Sequence, residues 1–136
     1  MNVSNYEIEP LTEEEALGLL ENGNYKAKIN DIEIKSSKSG TKYPVVNLDV
    51  FDKNNNIKKF NDWLSLPHKI KHICDSLGFE EDYKNRNFPI SKINGKFITV
   101  KISISKPTDK YPIPRNNIID YLPIENNYDL NDDLIF

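Results

Sequence analysis

The chain reads as a mainly β protein, a five-stranded barrel with a helix between the third and fourth strands and a short helix near the N-terminus. Three observations predict this. Apolar residues alternate with polar ones in five separate stretches, residues 25–34, 43–51, 59–66, 96–104 and 118–122. After the third stretch, Ile70, Ile73, Cys74 and Leu77 recur at helical spacing instead. Within the first stretch the apolar parity changes, from Tyr25, Ala27 and Ile29 to Ile32 and Ile34. A bulge near Asn30–Asp31 keeps both sets inside and bends the strand, as closing five strands requires.

The remaining elements follow in order. Thr12 and Glu15 have capping-box spacing, Ala16, Leu17, Leu19 and Leu20 follow, and Asn22–Gly23 supplies a stop, so residues 12 to 23 are expected to form a helix over one side of the core. The segment KSSKSGTKYP is a basic hairpin loop in which Gly40 takes positive φ. In the second strand Val46, Leu48 and Val50 share one face, and Tyr43, Val45, Asn47, Asp49 and Phe51 the other. DKNNN is a polar turn, and the third strand sets Phe60, Asp62, Leu64 and Leu66 against Lys59, Asn61, Trp63 and Ser65. Pro67 opens the helix and Gly78 ends it. Beyond a stretch rich in charge and aromatics, Ile98, Val100, Ile102 and Ile104 point inward, with Lys101 and Ser103 outward. A proline-rich turn from Pro107 to Pro114 leads to the last strand, and Pro123 with the Asn-rich segment ends the folded part. The domain is therefore expected to span 1–124, followed by an acidic, flexible tail at 125–136.

Charge separates the tail from the body. All 18 Lys and Arg lie between Lys26 and Arg115, where they face 10 acids, a formal +8. The first 21 residues hold six Glu and no base, and residues 116–136 hold five acids and no base. The whole-chain net of −3 thus hides a basic body, which attracts polyanions. The longest apolar run is too short to span a membrane, and the acidic N-terminus lacks the features of a signal peptide. A single cysteine excludes an internal disulfide and fits a reducing cytoplasm.

Strand, strand, strand, helix, strand, strand is the order of the oligonucleotide-binding (OB) barrel, with an SH3-like barrel or an open α+β sheet as alternatives. Binding a single strand needs cations for phosphates and aromatic faces for bases. Trp63, Tyr43 and Phe51 lie on outward parities, and Lys35, Lys38, Lys42, Lys58, Lys59, Lys101, Lys106, Lys110 and Arg115 fall in loops or on outward faces. Buried aromatics and ordinary solvated lysines are the bland readings of the same residues. Catalysis is not expected: Ser36, Ser37 and Ser39 lack an activating base in any known motif, and Glu80–Glu81 sit in polar surroundings. No cofactor is implied. His68, His72 and Cys74 fall short of the four ligands of a closed zinc site, so no metal is expected.

The tail reads DLNDDLIF, with Asp129, Asp132 and Asp133 among apolar residues and Leu134, Ile135 and Phe136 at the tip. Such a peptide suits docking, its ring in a pocket and its acids against a partner's cations. It resembles the acidic tip of bacterial single-stranded DNA-binding proteins, with Asp132, Asp133, Leu134 and Phe136 at matching places and Ile135 where that tip has proline. The body is similar to a phage and mobile-element family of single-stranded DNA-binding proteins, over about three quarters of its length. Gly23–Asn24–Tyr25, the Ser37–Lys38–Ser39–Gly40 turn, Phe51–Asp52 and Leu77–Gly78 carry that likeness. The two resemblances imply a non-enzymatic cytoplasmic protein that coats single-stranded DNA during replication or recombination and recruits proteins through its tail. A protein-interaction module, such as a phage-encoded decoy of host repair proteins, and an RNA-binding OB protein are the alternatives. Oligomeric state, including a homo-oligomer, stays open.

Overall fold

A computed structural model of the chain describes residues 5, 7–11 and 16–124. Five strands, β1 (Gly23–Ser36), β2 (Lys42–Phe51), β3 (Ile57–Trp63), β4 (Phe97–Ser105) and β5 (Arg115–Leu122), form one antiparallel sheet in the order β3-β2-β1-β4-β5. Three helices, α1 (Pro67–Leu77), α2 (Glu80–Lys84) and α3 (Ile90–Ile93), lie between β3 and β4. The 14-residue β1 is shared between neighbours, its first part pairing with β4 and most of its length with β2.

The pairing of β1 with β2 slips between Ile29 and Asp31, at the expected bulge. One residue is left over, so Ala27 and Ile29 before it and Ile32 after it all face the core. They pack with Val46, Leu48, Val50, Ile98, Val100 and Ile102, all buried. Burying each such side chain contributes about 1.5–3 kcal/mol, so this face stabilises the sheet. Ile34 does not join them. It sits opposite Pro44, close to the hairpin, and is 53% exposed, because β1 there runs on past the core. Leu66 is also outside, on the residue that precedes α1.

The expected N-terminal helix is cut short. Residues 12–15 lie outside the described residues, the helix is seen only at Ala16 and Leu17, and Gly18 at φ +71° ends it. The segment then runs on without helical structure, Leu17 is exposed and Leu20 alone enters the core. Asn116 fixes it there by accepting from the Leu20 amide at 2.8 Å and donating to its carbonyl at 2.9 Å. One amide side chain thereby pairs both backbone groups of Leu20, as a neighbouring strand would.

In α1, Pro67 occupies the first turn, and Gly78 at φ +82° caps the end, with the Phe79 amide donating to the Cys74 carbonyl at 2.8 Å. Ile73 and Cys74 are buried, with Ile70 and Leu77 packed against the core. Lys69 is buried too, and its position joins the two edge strands. Its ammonium donates to the Ile118 carbonyl on β5 at 2.6 Å and to both Asp62 oxygens on β3 at 3.2 Å. The Tyr121 hydroxyl on β5 donates to Asp62 at 2.8 Å. Barrel closure would require β3 and β5 to pair, and no ladder joins them. Side chains bridge them instead.

Candidate nucleic-acid interface

The register fixes which side chains share the outer face of the sheet. Across β4, β1, β2 and β3 one row reads Phe97, Lys28, Asp49 and Lys59, because these residues are directly paired. Phe51 pairs with Ile57 on the same outward parity of β2, as Val45 pairs with Trp63. Tyr43 and Trp63 meet edge to face with ring centroids 6.5 Å apart. Trp63 is 43% exposed, so part of its ring is open to solvent. Val45 beneath this pair is buried although it lies on the outer parity, which gives the rings an apolar footing.

A second aromatic pair stands at the other end of β2. Phe51 and Phe97 are 6.4 Å apart with planes 31° from parallel, and the Lys26 ammonium lies 5.1 Å from the Phe97 ring centre and 6.0 Å from that of Phe51. Eight residues of extended chain separate Tyr43 from Phe51, about 26 Å. The face therefore has an aromatic station at each end and charged residues between.

The sequence-expected cations divide into groups. Lys35, Lys38 and Lys42 lie in or beside the β1–β2 hairpin, Lys35 in an ion pair with Glu33 at 3.5 Å. Lys59 is on the outer face, 79% exposed at the side chain and 2.8 Å from Asp49. Lys58 is turned aside to donate to the Gly18 carbonyl. Lys101 is exposed on β4, opposite Asn24. Lys106, Lys110 and Arg115 belong to the β4–β5 connection, where Arg115 stacks on Tyr111 at 3.9 Å and Lys110 approaches the same ring at 5.5 Å. That connection follows the part of β4 paired with the beginning of β1, whereas the hairpin is at its end. The structure thus gathers Tyr43, Trp63, Phe51 and Lys59 on one face and sets Lys110 and Arg115 around Tyr111, with Lys106 elsewhere in the same connection. The tail residues Asp129, Asp132, Asp133, Leu134, Ile135 and Phe136 lie outside the described residues.

Lys26, Lys28 and Phe97 add to this face and were not singled out by sequence. The signal was present for the lysines, which alternate with Tyr25, Ala27 and Ile29 and so point outward. Phe97 shows as a site residue only once Lys28 is known to sit beside it. Electrostatically, the hydrogen bond from Lys59 holds Asp49 below the usual carboxylate range against the opposing effect of burial, helped by Asn30 and the charge of Lys28.

Among the described residues no cluster of three or more His, Cys, Asp or Glu is arranged to hold a metal ion. His68 and His72 meet edge to face at 5.6 Å, and His72 Nδ1 is 2.6 Å from Asp120. Burial pushes the Cys74 thiol up to about 11, which keeps it protonated and unreactive at neutral pH. Burial also pushes Asp120 up, but the hydrogen bond of His72, the amide of Tyr121 and the charges of His72 and His68 together outweigh it and hold the carboxyl low. A depressed folded value contributes stability above the unfolded value and loses it as pH falls through the folded one. Asp120→Asn is expected to lose less urea resistance than the parent between about pH 5 and about pH 3. Parallel losses would mean that Asp120 does not carry acid sensitivity.

No family model matches the chain, and no curated protein matches it in sequence. No described helix is long and apolar enough to cross a membrane.

Proposed function

We propose that this is a non-enzymatic single-stranded DNA-binding protein with an OB-type barrel, which coats single strands with little sequence preference and recruits replication or recombination proteins through residues 125–136. The observation that carries the reading is the outer sheet face, where exposed Trp63 against Tyr43 and the Phe51–Phe97 pair are accompanied by Lys28 and Lys59. Aromatic rings accept any base by stacking, and lysines hold phosphates without reading sequence. The barrel reading is supported by the strand order, in which β3 and β5 are the two ends that closure would join, and by the Asp62, Lys69 and Tyr121 bridge between them. The second and third strands of an OB barrel form its usual binding face, and here they carry Tyr43, Phe51, Lys59 and Trp63.

Trp63 is the only tryptophan, so its fluorescence reports on the face directly. Titration with poly-dT is expected to quench it, with affinity falling steeply as salt rises. Four phosphate contacts at about −0.7 each would give a log–log slope of about −3. Changing base sequence should alter affinity little, and duplex of the same length should bind more weakly. Equal affinity for duplex and single strand, or binding without any change at Trp63, would remove this reading. Tighter binding to oligo-U than to oligo-dT would turn it toward RNA.

A further inference from the structure

The helical side of the molecule carries a pocket that the sheet face does not use. It lies between α1 and the turn after α2, with a volume of about 460 Å³. Ile70, Tyr83 and Phe88 supply apolar walls, and Lys84, Arg86 and Asn87 also line it. Tyr83 is 36% exposed, so a ring is available to a ligand. Arg86 stands in the left-handed region at φ +61°, where the amide of Arg86 donates to the Tyr83 carbonyl and that of Asn87 to the Asp82 carbonyl. Arg86 makes no ion pair among the described residues, while Lys84 is 3.5 Å from Glu81 and 70% exposed at its side chain. The lining therefore combines aromatic and aliphatic walls with two cations and no acid.

Such a lining suits a peptide that alternates acidic and apolar side chains. The chain contains one. Residues 129–136 read DLNDDLIF, with three Asp and four large apolar residues. The preceding strand delivers it nearby: Leu122 and Pro123 share a surface with His72, Asp75 and Ser76 of α1, the helix that carries Ile70. Ile70 is on the opposite side of that helix, a route of roughly 16–19 Å around a cylinder about 10–12 Å wide. Residues 125–136 can span up to about 40 Å when extended, so the reach is ample.

We propose that this pocket receives the chain's own acidic segment, with apolar side chains of Leu134 to Phe136 between Ile70, Tyr83 and Phe88, and Asp132 and Asp133 against Lys84 and Arg86. The occupant is the segment of the same molecule. Bound there, the segment leaves the Tyr43–Trp63 end of the sheet free, so its docking and the occupancy of the sheet face are separate events.

The test needs no nucleic acid, so its outcome is distinguishable from that of the DNA-binding reading. A nitroxide attached at Asn131→Cys in the full chain can be read by amide relaxation, since the native Cys74 is buried. The amides of Tyr83, Lys84, Arg86 and Phe88 are expected to lose intensity, with no dependence on protein concentration. Arg86→Glu should restore that intensity, as should Leu134, Ile135 and Phe136 all changed to Ala. A synthetic peptide of residues 125–136 should compete for the pocket, and Arg86→Glu should weaken its binding about tenfold. Intensity lost instead around Tyr43 and Trp63 overturns the proposal, as does no localised loss. Loss at the pocket that grows with concentration overturns docking within one molecule and assigns the segment to a second copy.

Discussion

Asp62→Ala is expected to lower the stability of the fold by about 3–5 kcal/mol, measured by urea unfolding at neutral pH. The reason is what the substitution leaves behind. Lys69 and Asp62 have side chains only 8% and 13% exposed, and Tyr121 is 1% exposed. Without the carboxylate, an ammonium stays buried with the Ile118 carbonyl as its remaining partner, and the Tyr121 hydroxyl loses its acceptor. The same loss undoes the side-chain tie between β3 and β5. Changing Asp62 to Leu together with Lys69 to Met removes both charges and should recover part of the loss, and Tyr121→Phe added to them should recover more. A cost below about 1 kcal/mol for Asp62→Ala would show that the bridge does not hold the sheet edges together.

The bridge has a pH dependence opposite to that of Asp120. Burial pushes Asp62 up, and Lys69 and Tyr121 pull it back only in part. A carboxyl raised in the folded state contributes most below its unfolded value and loses that contribution as pH rises through the folded one. Burial likewise raises the Tyr121 hydroxyl well above its ordinary value, with the charge of Asp62 and the hydrogen bond to it adding to the effect. Its contribution is present below about pH 10 and is lost on the alkaline side. Alkali therefore weakens the Tyr121 side of this seam, whereas acid acts through Asp120.

Much of the sheet was legible because alternation is a strong local signal. The parity change from Ile29 to Ile32 located the bulge, and Pro67 with Gly78 bounded the helix. What failed did so where long-range contacts decide. Leu17 has helical spacing with its neighbours, yet Gly18 adopts the left-handed conformation and Asn116, 96 residues from Leu20, fixes the backbone beyond it. Ile34 continues a parity that the core no longer covers. Lys69 sits beside Ile70 and four residues before Ile73, and nothing local shows that its charge meets Asp62 and a β5 carbonyl. At the candidate site, the outward parity of Trp63, Tyr43 and Phe51 could be read from the chain, but the partnership of Phe51 with Phe97 requires the β1 register between them.

That partnership sets the second large expected effect. Trp63→Ala and Phe51→Ala should each weaken poly-dT binding by about 1–3 kcal/mol, the range for losing one base-stacking surface. The stations are about 26 Å apart along β2, far enough that the two losses should add. The double variant is therefore expected to lose about 2–6 kcal/mol, or roughly 30-fold to more than 10⁴-fold in affinity. Anisotropy of labelled dT oligomers measures this in variants that lack the tryptophan reporter. Length discriminates further: an oligomer too short to span both stations can lose only one stacking surface, so its affinity should fall less in the double variant than that of a long one. Trp63 is 43% exposed, so its truncation should lower the unfolding midpoint only in part, and binding measured well below that midpoint separates lost binding from lost fold. Equal losses for short and long oligomers would make the Phe51–Phe97 pair a structural cluster and leave Tyr43 and Trp63 as the sole stacking site.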